Sequence, residues 1–462
     1  MSKITRGGNK VAEANITETY KHKDMEHMVR SLILPSEFAK SGEQIFVKGS
    51  GIKLIDTDGK EWIDISSGGL CVAIGYGNQE LPEVAMEQMS KLSHCFTGGG
   101  RALAAEIDLA CKLAELMPEG LQRFQFVNSG SDANETAFKF ARWYWRENGL
   151  NKYKIISLDD CYHGATYGAL SAAGGPLRGD AFFGPFMPGF IHTASPYCYR
   201  CPFGKSYPDC DIDCADALEK TIEKEGEDTV AAFIAEAVPK PISYLALRDY
   251  WSKVMRICKK HHVLLIIDEY ITGFGRTGKF FASEHSDLRP DMMVFSKGLA
   301  SGYLPIVGIA FSEEMYRGLT EKDTYPIHGF TYMGHAVCCA VALKNIEIIL
   351  RDKLVENAAE MGKHIQKRLV ALQEQHPYIG DVRGSGLYWM EEPVADKGTK
   401  EQFDAKKKEQ LLRQLRSRLR ERGILTGALG LGIGIYPPLI ITKDELDYVL
   451  DALEWAYNGI KL

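Results

Sequence analysis

The 462-residue chain has no long apolar run. Its longest unbroken aliphatic stretch, residues 263–267, falls far short of the roughly 20 apolar residues needed to cross a bilayer, so no transmembrane helix is expected. It has no basic excess either: 55 Lys and Arg stand against 61 Asp and Glu, a formal net charge of −6. No positive field therefore advertises a nucleic acid or an anionic membrane as partner. Residues 1–20 are polar and mixed in charge, without the apolar core and small-residue cleavage site of a secretory signal, which makes the cytoplasm the expected location. The 11 cysteines are odd in number and scattered, as at Cys338 and Cys339, which is unlike a disulfide framework and reads as reduced thiols. Repeats and low-complexity tracts are missing. What remains is ordinary globular composition, 45% hydrophobic and 25% charged, in a chain long enough for two or three structural units.

Turn residues at Gly49-Ser50-Gly51 and Asp58-Gly59 punctuate short extended pieces at 52–55 and 62–65, a small β-rich opening. From about Ala102, helical patterns alternate with short β-branched or aromatic runs at 124–127, 154–158, 231–235, 263–267, 292–295 and 306–311. That succession predicts an α/β large domain on a mainly parallel sheet. From about Ala336 long helical patterns follow at 336–350, 354–374 and 400–422, the last ended by Gly423. Extended pieces near 386–390 and 425–436 complete a second, smaller α+β unit. The run Lys406-Lys407-Lys408 is interrupted by Glu409 and reads as a solvated helix face.

Lys297 follows the short apolar strand 292–295 and precedes Gly298, which puts it at a strand's C-terminal end, where open parallel sheets bind ligands. Alone, it would be an ordinary surface lysine. Three features argue otherwise together. The apolar run 263–267 ends in Asp268-Glu269, which brings a carboxylate to the same sheet edge, although such an aspartate is often a turn cap. Val127-Asn128-Ser129-Gly130-Ser131-Asp132 leads from a strand into a helical pattern at 133–145, where free N–H groups, a glycine and hydroxyls suit a phosphate. The plain alternative there is a Ser/Asp N-cap. Tyr162-His163-Gly164, after the strand 154–158, places an aromatic ring at the same rim, a position that packing alone would also explain. Lysine, carboxylate, phosphate cradle and ring are together the parts that hold pyridoxal 5′-phosphate, whose chemistry needs a lysine Schiff base and an acidic partner for the pyridine nitrogen.

The segments Asn128-Ser129-Gly130-Ser131-Asp132-Ala133-Asn134-Glu135, Tyr162-His163-Gly164-Ala165-Thr166, Asp268-Glu269-Tyr270-Ile271-Thr272-Gly273-Phe274-Gly275-Arg276-Thr277-Gly278, Phe295-Ser296-Lys297-Gly298 and His328-Gly329-Phe330-Thr331-Tyr332 resemble the ordered motifs of class III pyridoxal-phosphate aminotransferases, over nearly the whole chain. The resemblance implies the fold-type I α/β architecture, with a mainly parallel, seven-stranded sheet in the large domain. Residues 1–70 would contribute to the small domain, 71–335 form the cofactor-binding domain, and 336–462 the C-terminal α+β domain. It implies that Lys297 forms the Schiff base, Asp268 pairs with the pyridinium nitrogen, Gly130 and Ser131 bind phosphate, and Tyr162 stacks on the ring. His163, Tyr270 and Glu236 are further cofactor-site positions, Glu236 in a supporting role. Thr331 would reach the phosphate of a neighbouring subunit, so the working unit is a homodimer or homotetramer. The activity implied is ping-pong transfer of an amino group from a terminal amine (taurine, β-alanine or a diamine) to pyruvate or 2-oxoglutarate. The alternative on the same scaffold is a lyase or racemase.

Several positions depart from the family pattern. Tyr270 stands where valine is usual, and Leu70 precedes Cys71-Val72 where many relatives carry an aromatic residue. Ala237 and Val238 also depart from the usual sequence after Glu236. No arginine occurs in residues 427–436, where a carboxylate-binding arginine is common in the family, so either another group such as Arg383 or Lys205 serves or the acceptor is held differently. Cys198, Cys201, Cys210 and Cys214 form C-x2-C-x8-C-x3-C in a Tyr/Pro/Gly-rich loop. The spacing is open to zinc or an iron–sulfur cluster. The piece Tyr197-Cys198-Tyr199-Arg200-Cys201-Pro202-Phe203, however, resembles a loop of taurine–pyruvate-type members of the family. Structural thiols, with no metal, are the favoured reading.

Overall fold

The computed structural model describes residues 16–239, 243–325, 327–427 and 431–461. Among them, no helix is long and apolar enough to cross a membrane. Strands β1 (Phe46–Ser50), β2 (Lys53–Asp56) and β3 (Glu61–Asp64) open the chain; β4 (Leu121–Val127), β5 (Lys154–Leu158), β6 (Phe190–Thr193), β7 (Val230–Glu236), β8 (Leu264–Glu269), β9 (Met292–Phe295) and β10 (Val307–Ser312) build the large sheet. The C-terminal part adds β11 (Ile379–Ser385), β12 (Tyr388–Pro393), β13 (Ile424–Leu425) and β14 (Gly434–Ile435).

The large sheet has seven strands in the order β4-β10-β9-β8-β7-β5-β6. The strands from β9 to β6 run parallel, while β10 is antiparallel to both β4 and β9. The expected strands therefore form with small shifts at their ends, and β6, a four-residue edge strand, is an addition. Side chains alternate across the sheet because successive residues of a strand face opposite ways. Leu264 and Ile266 join the layer with Ala133, Ala137, Phe138 and Ala141 of the helix Gly130–Glu147. Leu265 and Ile267 join the opposite layer with Leu218, Ile222, Trp251 and Val254 of the helices Asp213–Glu225 and Arg248–Lys260. Both faces are thus buried, which is why these strands read as continuous apolar runs.

β13 pairs in parallel with β3, Ile424 beside Ile63, so the N-terminal strands and the C-terminal part share one four-stranded sheet. β11, β12 and β14 form a separate three-stranded sheet. The long helices fall at Ala336–Arg351 and Leu354–Gln375, as their periodicity predicts. The third is shorter than its charged sequence suggests, Ala405–Glu421 rather than 400–422. Its start is fixed by Asp404, whose side chain accepts from Lys407 N, a helix N-cap. Lys400, at φ 59°, lies in the left-handed region, outside the helix. Gly423, at φ 71°, follows as the expected stop.

Candidate active site

The register of the parallel strands brings the chemistry to one edge. Glu236 pairs with Asp268, and Glu269 pairs with Phe295, two residues before Lys297. Asp268, Glu236 and Lys297 therefore leave the sheet at its C-terminal rim. The helix Gly130–Glu147 starts at the same rim, capped by Ser129, whose Oγ accepts from Asp132 N at 3.2 Å. A cavity of about 100 Å³ opens there, lined by Ser129, Gly130, Ser131, Asn134, Tyr162, His163, Gly164, Asp268 and Tyr270.

Asp268 is buried and held from three sides. His163 Nδ1 lies 2.8 Å from Oδ2, Asn134 Nδ2 donates to the same oxygen at 3.0 Å, and Tyr270 N donates to Oδ1 at 3.0 Å. These three hydrogen bonds fix the side chain in place, and each bond to a carboxylate contributes about 1.5–3 kcal/mol. Asn134 also donates to His163 O at 2.7 Å, so one amide fixes both partners. Asn134 was missed from the sequence. It falls four residues after Gly130, on the buried face that also carries Ala133, Ala137, Phe138 and Ala141.

Lys297 sits in a short 3-10 turn after β9 at φ 42°, a left-handed backbone that costs a side-chain-bearing residue about 1–2 kcal/mol. Its Nζ donates to Gly69 O at 2.6 Å and stands 5.1 Å from the centre of the Tyr270 ring. The turn at residues 67–70 that supplies this carbonyl has positive φ at all of Ser67, Gly68, Gly69 and Leu70. Leu70 itself is buried.

Tyr270 accounts for the glycine at 130. A Cβ added there would come within 2.2 Å of Tyr270 Cε2, so the ring lies directly against the helix start. Burial pushes the Tyr270 phenol up to about 12. Gly164 is similarly constrained: at φ +138° its Cβ would meet Ser131 Oγ at 2.5 Å, and that oxygen accepts from Ala165 N at 2.9 Å. Tyr162 is half-buried, and burial raises its phenol as well. Its backbone N donates to Glu236 Oε2 at 3.3 Å. Glu236 is buried rather than facing solvent, and it anchors the segment that carries Tyr162 and His163.

Thr331 is exposed and does not line this cavity; the adjoining Tyr332 carbonyl accepts from Asn128 Nδ2 at 3.1 Å. The two substitute carboxylate binders lie elsewhere. Arg383 is buried between Asp381, 2.8 Å away, and Glu392, 2.9 Å away, and Lys205 pairs with Asp213 at 2.6 Å. Both expectations are corrected, because each cation already neutralises a carboxylate away from the cavity. Of the arginine-free stretch 427–436, residues 428–430 lie outside the described residues.

A family model, Aminotransferase class-III, matches residues 38–457. The putrescine–pyruvate aminotransferase of Pseudomonas aeruginosa is 36% identical over 89% of this chain and 90% of its own length. The taurine–pyruvate aminotransferase of Bilophila wadsworthia is 34% identical over 90% of this chain and 92% of its own. Among solved structures, the omega transaminase from Pseudomonas jessenii in complex with PMP superposes with a TM-score of 0.90 at 34% identity, covering 95% of this chain and 97% of that one.

Proposed function

Since the chain belongs to the class III aminotransferases, we propose that it takes the amino group of a terminal primary amine and passes it to pyruvate or 2-oxoglutarate in two half-reactions. Taurine, β-alanine and diamines are the candidate donors; relatives named for putrescine with pyruvate and for taurine with pyruvate support that range. Enzymes of this family depend on pyridoxal 5′-phosphate. The residues present fit that group. His163 Nε2 and Asn134 Oδ1 are buried polar atoms beside the cavity that find no hydrogen-bond partner among the described residues, and Asp268 offers a fixed carboxylate. The helix start at Gly130 and Ser131 presents backbone N–H groups suited to a phosphate.

When bound, the cofactor draws electrons from the substrate carbon as its proton leaves. Asp268, held by His163 and Asn134, would pair with the ring nitrogen and keep it protonated. Lys297 would hold the cofactor and would move the proton at the substrate carbon, as a general base and then a general acid. Glu236 and Tyr162 orient the rim, and Gly130 and Ser131 hold the phosphate. Thr331 would serve a neighbouring subunit's phosphate in a homodimer or homotetramer. The observation that carries this reading is the arrival of Lys297 and Asp268 at one sheet edge around a cavity with a helix start.

The test is the visible spectrum of the purified holoenzyme with taurine, β-alanine, putrescine and alanine, each alone. A donor should abolish the absorption of the lysine-bound cofactor, and pyruvate or 2-oxoglutarate should restore it. Product formation with that absorption unchanged would instead establish the lyase or racemase.

A further inference from the structure

Four successive residues of left-handed backbone stand beside Lys297. Ser67, Gly68, Gly69 and Leu70 have φ of 49°, 57°, 77° and 70°, and two of the four carry side chains, for which this conformation is unfavourable. Strain of this kind persists only where the surrounding structure over-determines it.

Asp64, the last residue of β3, fastens the turn. It is buried, and each of its carboxylate oxygens accepts twice: Oδ1 from Ser66 N at 2.8 Å and Ser66 Oγ at 2.6 Å, Oδ2 from Gly68 N at 2.7 Å and Tyr76 Oη at 2.5 Å. Four donors thus converge on one group that only accepts. An amide in its place would turn an N–H against two of them in either orientation. Ser67 adds a second fastening: its Oγ donates to Tyr436 O and lies 3.5 Å from Arg276 Nη2, while Arg276 Nη1 donates to Leu387 O at 3.1 Å. The turn is tied to β3 on one side and to the C-terminal part on the other.

What this arrangement delivers is one carbonyl. Gly69 O accepts from Lys297 Nζ at 2.6 Å, and the centre of the Tyr270 ring is 5.1 Å from the same nitrogen. A carbonyl and an aromatic face both attract an ammonium. Cys71 Sγ, at 3.8 Å, is a second and longer contact of that oxygen. Gly69 itself is exposed, and a Cβ added to it would meet no atom within 4 Å, so glycine there answers to the backbone conformation and not to crowding.

We propose that Asp64 is a positioning residue for Lys297: by holding the turn in its left-handed form it aims the Gly69 carbonyl at Nζ and gives the amine a fixed place whenever it is not joined to the cofactor. The inference rests on the reading of Lys297 as the lysine that joins the cofactor. An amine held at a set place and angle reacts faster than one on a free four-carbon stem. The turn therefore speeds both the capture of the cofactor and the movement of the proton at the substrate carbon. Asp64 does not line the cavity; it acts through Ser66, Gly68 and the carbonyl beyond them.

The test uses the full chain freed of cofactor, with two probes. Pyridoxal 5′-phosphate reports capture, read as the rate at which the absorption of the lysine-bound cofactor returns. Pyridoxamine 5′-phosphate, an amine that cannot join a lysine, reports binding alone, read by its fluorescence. In Asp64→Asn capture should slow by about tenfold, the fold-change of one hydrogen bond to a charged group, with pyridoxamine phosphate affinity within about twofold of wild type. In the reloaded enzyme kcat should fall while the donor's KM holds. Should Asp64→Asn fail to fold, Gly69→Ala replaces it, with Gly59→Ala as its control: Gly59 has the same left-handed backbone, at φ 79°, and equally open space, but sits in the turn between β2 and β3. Gly69→Ala should slow capture and Gly59→Ala should not. Capture at the wild-type rate in Asp64→Asn, equal slowing in the two glycine variants, or a loss of pyridoxamine phosphate affinity as large as the loss of capture rate would overturn the proposal. Lys297→Ala separates it from the reading beneath: capture that survives there refutes Lys297 itself, whereas capture abolished there and unchanged in Asp64→Asn removes only the role of Asp64.

Discussion

His163 Nδ1 and Asp268 Oδ2 meet at 2.8 Å in a position where both side chains are sealed from solvent. A carboxylate can only accept, so His163 donates from Nδ1. Asp268→Asn puts an N–H donor among three donors and weakens the hold on the ring nitrogen's proton. Losing a preorganised charge of this kind lowers turnover by about 10²–10³-fold. Half-reaction rates should show that loss with cofactor content preserved; a rate within a factor of two of wild type would remove Asp268 from the chemistry.

Lys297→Ala should abolish turnover and the absorption of the lysine-bound cofactor together, since its Nζ stands 5.1 Å from the ring of Tyr270, which lines the cavity. Measured amino transfer from any donor in this variant would refute the assignment of Lys297.

Gly130→Ala introduces a methyl group 2.2 Å from Tyr270 Cε2. Overpacking of this kind costs about 1–3 kcal/mol, read as a lower melting temperature. Tyr270→Val in the same chain should recover most of that loss. A double variant no more stable than Gly130→Ala alone would show that the tyrosine ring is not what requires glycine there.

Stability should fall with rising pH through Glu391. Complete burial lifts its carboxyl from 4.5 to about 8, against the lowering effect of the Ile433 N–H bond at 2.8 Å. The folded state holds this proton more tightly than the unfolded chain. Its contribution is therefore complete below 4.5 and is lost as pH rises through about 8. Glu391→Gln, which buries no ionisable group, should flatten the decline in melting temperature between about pH 5 and pH 9. Equal slopes for both proteins would exclude Glu391 as the source.

Much of the large domain is legible because its central strands are buried on both faces and so become unbroken apolar runs, as at 263–267. β6 is not, because four residues at an edge, Phe-Ile-His-Thr, carry too little periodicity. The site's lysine, carboxylate and helix start are legible through their position at strand ends. Asn134 is not, because an asparagine in a helix's second turn looks like any polar surface position until the helix is docked. Tyr270 is visible as a departure, but its contact with Gly130 depends on a helix and a strand separated by more than a hundred residues.

The antiparallel strand β10 has a consequence for synthesis. β4 leads directly into the helix start at Gly130, yet its neighbour in the sheet is β10, so the strand carrying the phosphate cradle emerges from the ribosome long before its partner. Until Ser312 has left the exit tunnel, β4 cannot take its place, and an exposed strand edge is a template for wrong pairing. A nascent chain stalled short of β10 would thus carry every motif up to Lys297 with the edge of β4 still unpaired.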